Sequence, residues 1–190
     1  MFLSRSLPKQ KDKFKLVLLG DAAVGKTSLV SVMSNGVFSN RYKSTIGINV
    51  STITFQTSSN DPITFECYDI PGREQFRVNI NDFYKIFDCM ILMFDFTNRE
   101  SYENLDSWYR DFNFNKMSWR YCYEGEVPWV LVGNKVENHK DAKVKQKEVN
   151  FHKRFYCKYY TISCKTRYHV ELPFLCIAKM LRKDPNLKFV

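Results

Sequence analysis

Several patterns that would assign this chain to a membrane, secreted or metal-binding class are missing. Its six cysteines form no Cys-x-x-Cys pair and mostly stand in apolar runs, so we expect reduced thiols of an intracellular protein. No apolar run approaches the roughly 18 residues of a membrane span, and the N-terminal one is too short for a signal peptide. No cysteine stands near Val190, so no prenyl anchor is predicted. The chain is therefore expected to be soluble.

Internal repeats, linkers and low-complexity tracts are also missing, so the 190 residues are predicted to form one domain. Residues 1–13 are predicted to be an N-terminal extension and residues 14–190 the folded domain. There are 29 Lys and Arg against 20 Asp and Glu, and part of the net charge of +9 lies in residues 139–155. That segment is either a solvated face or a docking surface, for an acidic protein rather than for nucleic acid, which is the weaker alternative. Direct nucleic-acid binding is not predicted, because no helix-turn-helix signal, zinc spacing or RNA-stacking motif occurs.

Short apolar runs alternate with helical patterns along the chain. An apolar run ending in Gly20 precedes a helical pattern, and the runs INVSTITFQT and ITFECYDI, separated by SSNDP, predict a β-hairpin. The later predicted strands are Cys89–Thr97, Pro128–Lys135 and Lys158–Cys164. The predicted helices between and after them are Glu100–Phe114, Gln146–Phe155 and Val170–Arg182. This alternation predicts an α/β fold with a mostly parallel six-stranded sheet and helices on both faces. Ligands bind such sheets beyond the carboxyl ends of the strands.

A glycine-bounded loop follows the first predicted strand. Its sequence GDAAVGKT matches Gly-x4-Gly-Lys-[Ser/Thr] between a predicted strand and a predicted helix, the context of a phosphate-binding loop (P-loop). Lys26 would reach the β- and γ-phosphates, and the Thr27 hydroxyl would bind Mg²⁺. The residues predicted to surround the phosphates are Asp21, Ala22, Ala23, Val24, Gly25, Lys26, Thr27 and Ser28. P-loop kinases and ATPases share this motif, so it does not by itself identify the base.

Two further loops, GNKVE and TISCK, each follow an apolar strand. The pair resembles the Asn-Lys-x-Asp and Ser-Ala-Lys loops of small GTPases of the Ras superfamily. The resemblance implies GTP or GDP as the ligand, with Mg²⁺. Asn134 would then hydrogen-bond the purine, Lys135 would pack along the base, and the Glu137 carboxylate would accept from the guanine N–H groups. The second loop would contribute Ser163, Cys164 and Lys165, the last two through their backbone.

Glu137 departs from that family pattern, which has Asp at this position. The side chain is one methylene longer, so its contact with guanine must be re-aimed. Hydrogen-bonded recognition is sensitive to such misplacement, and we expect guanine preference with lowered affinity. The alternative is that NKVE is an ordinary turn at the end of a strand.

Most of the chain, from about Phe14 onward, resembles a small GTPase, and the second half resembles the Ran branch. The strings that carry this second resemblance are VGNKVE, KVKQKEVNFHKRF, YYTISCK, ELPFLCIAKML and DPNLKFV. In the first half, YKSTIG would suit a Rab equally well. The Ran resemblance implies a monomer of nucleus and cytoplasm that meets importin- and exportin-type receptors and a guanine-nucleotide exchange factor. Ran continues past this point into a helix and an acidic tail, so we do not expect tail-dependent partners for a chain ending at Val190.

The resemblance also assigns two switch segments. In the first, FSNRYKSTIG, Phe38 would lean on the guanine, Tyr42 would cover the phosphates, and Thr45 would bind Mg²⁺ and the γ-phosphate. From the residues alone, without the resemblance, Phe38 would more often be a core anchor. In the second, DIPGREQF, Asp69 would hold Mg²⁺ through water and the Gly72 N–H would meet the γ-phosphate.

Arg73 occupies the position where small GTPases carry the Gln that orients the attacking water. A guanidinium only donates hydrogen bonds, so it cannot accept from that water as a Gln amide oxygen does. We therefore expect slow GTP hydrolysis, with Lys26, Thr45 and Arg73 as the candidate catalytic residues. Two alternatives stay open: Arg73 acts as a built-in cation on the γ-phosphate, or the chain is a binding module, a decoy without a catalytic cycle. Ala22, where Ras and Ran have Gly, is a second departure or a tolerated small residue.

The segment 117–127, MSWRYCYEGEV, lengthens a loop relative to Ran. Its aromatic residues form either an extra contact surface or a local packing cap.

Overall fold

The computed structural model of the chain describes residues 12–59, 61–72, 81–117 and 127–190. These residues contain one sheet in the order β2-β3-β1-β4-β5-β6. Strands β2 and β3 pair antiparallel, and the other neighbours pair parallel. The strands are β1 Lys13–Leu19, β2 Asn49–Phe55, β3 Ile63–Asp69, β4 Cys89–Asp95, β5 Trp129–Asn134 and β6 Lys158–Thr161. The predicted mostly parallel six-stranded sheet and its hairpin are confirmed.

Helices cover both faces of this sheet. They are α1 Lys26–Asn35, α2 Arg99–Glu103, α3 Leu105–Met117, α4 Phe151–Arg154 and α5 Leu172–Arg182, with 3-10 helices at Asn81–Ile86, Val136–Asp141 and Gln146–Glu148. One buried cluster contains residues of α1 and α5, and the other contains residues of α3 and α4. Strand β4 is buried along its whole length, because parallel central strands are covered on both sides. Within the described ranges, no helix has the length and apolar character needed to cross a membrane.

Two predicted helices differ from the structure. The predicted helix Glu100–Phe114 is divided into α2 and α3 at Asn104, whose side chain bonds to Asp21. The predicted helix Gln146–Phe155 is a 3-10 helix followed by the short α4, because Val149 between them is extended, with ψ 103, and buries its side chain. The helix predicted from Val170 begins at Leu172, with Pro173 in its first turn as expected.

The last residues of the sequence pack against the connection between β2 and β3. Leu187 is buried, and the Phe189 ring stacks on Phe55 with a centroid separation of 4.0 Å. Thr57 and Phe189 form an antiparallel bridge, and the Val190 N–H donates to the Gln56 carbonyl at 3.1 Å. Residues about 130 positions apart are thereby joined. Residues 1–11 of the predicted extension and 118–126 of the lengthened loop lie outside the described residues.

Candidate functional site

A cleft of about 590 Å³ opens beyond the carboxyl ends of β1 and β5. It brings together residues from five separate parts of the sequence: the P-loop, both predicted switches and the two predicted base loops. The predicted site residues that line it are Ala22, Ala23, Gly25, Lys26, Thr27, Ser28, Phe38, Tyr42, Thr45, Gly72, Asn134, Lys135, Glu137, Cys164 and Lys165. This volume lies within the range of small-molecule sites.

The P-loop has the backbone conformation that its glycines allow. Gly25 has φ 105, and a Cβ at this position would lie 2.1 Å from Asn134 Nδ2, so no side chain fits. Ala23 also adopts a left-handed conformation, with φ 63. The Lys26 side chain is 5% exposed, and its ammonium donates to the Gly20 carbonyl at 2.6 Å and the Asp21 carbonyl at 2.7 Å. The lysine thus lies over its own loop at the start of α1.

Asp21 and Val24 contribute backbone rather than side chain to this loop. The Asp21 carboxylate turns to α3, where Asn104 Nδ2 donates to Oδ2 at 2.8 Å and Trp108 Nε1 donates to Oδ1 at 2.7 Å. The Val24 side chain is buried in the core, and its carbonyl accepts a hydrogen bond from Asn134.

The three predicted magnesium residues meet at one point. The Thr27 hydroxyl donates to Asp69 Oδ2 at 2.5 Å and lies 3.1 Å from the Thr45 hydroxyl. Asp69 Oδ1 is buried and has no hydrogen-bond partner in the described part of the chain. Burial raises the pKa of the Asp69 carboxyl, while hydrogen bonds from Thr27 and Thr45 and the charge of Lys26 oppose that shift.

This arrangement fits a divalent cation. Mg²⁺ prefers oxygen ligands and usually keeps several waters, taking only one or two carboxylates from the protein. Asp69 offers an unsatisfied buried oxygen, and two hydroxyls stand beside it. An orphaned carboxylate oxygen is costly in the interior, so the site is incomplete without a cation or water.

Asn134 connects the P-loop to the loop that follows β6. It is 2% exposed, and its Nδ2 donates to the Val24 carbonyl at 2.8 Å. Its Oδ1 accepts from the Cys164 N–H at 3.1 Å. The amide therefore links the predicted phosphate and base ends of the cleft, and one N–H and one lone pair remain for further contacts.

Lys135 is held by a carboxylate at the end of β4. Its ammonium lies 2.6 Å from Asp95 Oδ2, and Lys135 itself has a left-handed φ of 64. Asp95 Oδ1 accepts from the backbone N–H and the hydroxyl of Thr97, both at 2.8 Å. Asp95 thus fixes the lysine at the wall of the cleft.

Glu137 lines the predicted base end of the cleft, in the 3-10 helix Val136–Asp141. Its Oε2 is buried without a hydrogen-bond partner among residues that the structure describes. Burial raises the pKa of the neighbouring Cys164 thiol to about 12, and the negative charge of Glu137 adds to the shift. Glu137 and Cys164 line the same cleft.

Ser163 is completely buried and lies behind the cleft. Its hydroxyl accepts from the Thr166 N–H at 3.0 Å, and its backbone pairs with Tyr168. It shapes the loop that presents Cys164 and the exposed Lys165 to the cleft.

The predicted first switch contributes residues 38–45 to the lining of the cleft. Phe38 is half-buried, packs against the core and also lines the cleft, so the structure combines the two expectations for this residue. Tyr42 is 62% exposed at the rim. Arg167 donates to the Gly36 carbonyl, immediately before the switch.

The second switch begins against the P-loop. The Ala22 N–H donates to the Gly72 carbonyl at 3.1 Å. A Cβ at Gly72 would lie 2.2 Å from the Ala22 nitrogen, so only glycine allows this approach. Arg73, the predicted catalytic departure, lies outside the described residues.

Three residues of this site were not found by sequence reasoning: Asp95, Asn104 and Trp108. Asp95 ends an apolar strand in the pattern FDFTN, and a carboxylate at that position is a signal that could have been used. Asn104 and Trp108 lie inside a predicted helix, 83 and 87 residues from Asp21, and no local pattern connects them to it.

One comparison with known proteins bears on this site. The model of the Ras family matches residues 15–183, a span that includes every part of the cleft. Ras-family proteins are small GTPases, GTP-binding switches with a P-loop, usually with Mg²⁺. The cleft and the family match agree, and the chain belongs to the Ras family.

Proposed function

We propose that this protein is a Ran-like guanine-nucleotide switch that hydrolyses GTP slowly. The observation that carries the proposal is the convergence of Lys26, Thr27, Thr45 and Asp69 at one end of the cleft that Glu137 lines at the other. Two buried oxygens, Asp69 Oδ1 and Glu137 Oε2, lack partners in the described chain. A ligand with a cation at one end and N–H donors at the other would satisfy both.

Each end of the cleft has its own role in this proposal. The P-loop N–H groups and Lys26 hold the phosphates, and Mg²⁺, when bound by Thr27, Thr45 and Asp69, neutralises part of their charge. Glu137 accepts from the guanine N–H groups, and the Cys164 and Lys165 backbone meets the base oxygen. Adenine cannot offer both of the donors that a carboxylate would use here, so the site prefers guanine.

Slow hydrolysis follows from Arg73 in this proposal. The Gly72 carbonyl accepts from the Ala22 N–H, so Gly72 lies beside the P-loop. Small GTPases use the residue after this glycine to position the attacking water, and Arg73, which follows Gly72 in the sequence, provides only donors. The switch would therefore remain in its triphosphate form for long periods, with its two loops ordered by the γ-phosphate.

Two observations support Ran-type partners. The first is the set of Ran-like sequence segments from VGNKVE to DPNLKFV, and the second is the basic surface of one of these segments, KVKQKEVNFHKRF. Within KVKQKEVNFHKRF, the basic residues Lys143, Lys145, Lys147, Lys153 and Arg154 are all exposed. Such a surface suits an acidic partner by long-range attraction. We propose that importin- and exportin-type receptors of nucleus and cytoplasm meet the triphosphate form, and that a guanine-nucleotide exchange factor resets it.

The first test is the nucleotide that copurifies with the protein, identified by chromatography after denaturation. A predominance of GTP is expected. A predominance of GDP would contradict slow hydrolysis, and an empty site would contradict the switch and favour the binding module.

The second test compares single-turnover GTP hydrolysis in wild type and Arg73→Gln. The variant should hydrolyse GTP faster, because the amide oxygen can accept from the attacking water. Arg110→Gln, on the exposed side of α3, is the matched control and should leave the rate unchanged. If Arg73→Gln is slower than wild type, Arg73 acts as a cation on the γ-phosphate instead.

The third test concerns the base. Glu137→Asp restores the usual carboxylate length and should tighten GDP and GTP binding, measured by fluorescence titration. Glu137→Gln should weaken both, because the amide presents one donor group to the guanine donors. Equal affinities in wild type and both variants would refute the role of Glu137.

A further inference from the structure

The P-loop contains a negatively charged side chain that would oppose phosphate binding if it faced the cleft. Asp21 is the second residue of the loop, and its own carbonyl lies 2.7 Å from the Lys26 ammonium. A carboxylate facing that side would repel a polyphosphate, because like charges at short range repel strongly in a partly desolvated cleft. The structure turns it instead toward α3.

Two N–H donors hold the carboxylate in that orientation, one for each oxygen. Asn104 Nδ2 donates to Oδ2 at 2.8 Å, and Trp108 Nε1 donates to Oδ1 at 2.7 Å. Trp108 is fully buried, so the core fixes the position of its N–H. Hydrogen bonds to a charged acceptor are stronger than neutral ones, and both of these are short.

The helix break explains how both donors reach the same group. Asn104 lies between α2 and α3, and Trp108 lies one turn further along, in the first turn of α3. Residues four apart share a helix face, so both side chains point to the P-loop. A straight helix through this segment, as the sequence pattern predicted, is replaced by a joint from which Asn104 extends its amide to Asp21.

We infer that Asn104 and Trp108 are positioning residues for phosphate binding, which act by holding the Asp21 carboxylate against α3 and away from the phosphates. The inference rests on nucleotide binding at the P-loop, which the proposed function assigns to it. It adds two residues, far from the P-loop in sequence, to those that determine nucleotide affinity.

A role in charge differs measurably from a role in packing. If Trp108 only fills space, its replacement weakens binding whatever the charge of residue 21. If it restrains the carboxylate, removing that charge restores binding. Salt should reduce the defect only as far as solvent reaches the cleft, because partly buried charges are screened less than exposed ones.

The experiment measures the dissociation constant of labelled GDP for wild type, Trp108→Phe, Asp21→Asn and the double variant D21N/W108F, at low and high salt. Trp108→Phe keeps a ring in the core and loses the N–H. It should bind GDP about tenfold more weakly at low salt. The lost hydrogen bond no longer holds the Asp21 carboxylate on α3, so the carboxylate can turn toward the phosphates and repel them. The double variant should bind within about twofold of Asp21→Asn, and high salt should not enlarge the Trp108→Phe defect.

Two further variants keep the test decisive. Asn104→Ala, at a partly exposed position outside the core, should show the same defect and the same recovery if Trp108→Phe folds poorly. Trp129→Phe is the matched control: this indole packs on Tyr109 at the opposite end of β5 from Asn134, and its loss should not change the dissociation constant.

Two results would overturn the inference: wild-type affinity in Trp108→Phe and Asn104→Ala, or a defect that Asp21→Asn does not relieve. Wild-type protein that binds no GDP would instead overturn the proposed function and, with it, the inference.

Discussion

Asn134 is expected to stabilise the fold as well as the cleft. Its amide satisfies two buried backbone groups, the Val24 carbonyl at 2.8 Å and the Cys164 N–H at 3.1 Å. Asn134→Ala would leave both backbone groups without their hydrogen-bond partner. A buried polar group without a partner costs about 1–3 kcal/mol, so with two such groups the free energy of unfolding should fall by about 2–6 kcal/mol. That is a large share of the roughly 5–15 kcal/mol that holds a domain together.

Urea denaturation of nucleotide-free protein measures this loss without a contribution from bound ligand. Asn134→Asp separates the two contacts, because the carboxylate can still accept from Cys164 but cannot donate to Val24. Near neutral pH, the free energy of unfolding of Asn134→Asp should fall at least as far as that of Asn134→Ala. Asn186→Ala, at an exposed position, is the control and should change stability by less than about 0.5 kcal/mol. A loss that small in Asn134→Ala would refute the bridging role.

Three more measurements test separate parts of the structure. Phe189→Ala removes the ring stacked on Phe55 at 4.0 Å and should lower the free energy of unfolding by about 1–3 kcal/mol in urea. Asp95→Asn removes the charge 2.6 Å from the Lys135 ammonium, so labelled GDP should dissociate about fivefold faster. Burial raises the pKa of the Cys67 thiol from its ordinary 9.0 to about 12. The unfolded chain therefore loses this proton first, and stability should fall as the pH rises from about 9 to about 12.

Each of these three measurements has its own control variant. Phe114→Ala, whose ring is 75% exposed, should leave stability unchanged. Asp106→Asn breaks an ion pair with Arg154 in another part of the structure and should not affect GDP release. Cys67→Ala should flatten the alkaline loss of stability, and an unchanged slope would contradict the assignment to this thiol.

The fold and the P-loop were predictable because their signals are local. An apolar run, a glycine-bounded loop and the helical spacing after Lys26 follow one another within about 20 residues, and the β2–β3 hairpin has its turn residues in place. The two base loops each follow a strand directly. In all these cases one stretch of sequence contains both the element and its boundary.

The remaining features depend on contacts that no local pattern records. The pairing of Asn134 with Val24 joins residues 110 apart, and that of Asp21 with Trp108 joins residues 87 apart. The division of the helix at Asn104 follows from such a contact. Val149 favours helix by its spacing, yet burial of its side chain keeps the backbone extended there, so packing overrides the periodic signal.

The contact between residues 187–190 and the β2–β3 connection also has a consequence for the order of folding during synthesis. The backbone groups of Gln56 and Ser58 pair with Val190 and Lys188. These hydrogen bonds at the outer end of the hairpin cannot form until more than a hundred further residues have left the ribosome. Such long-range contacts form slowly and late. Until then Phe55 lacks its stacking partner, and the antiparallel edge of the sheet is left with exposed apolar surface, a kind of surface that chaperones bind.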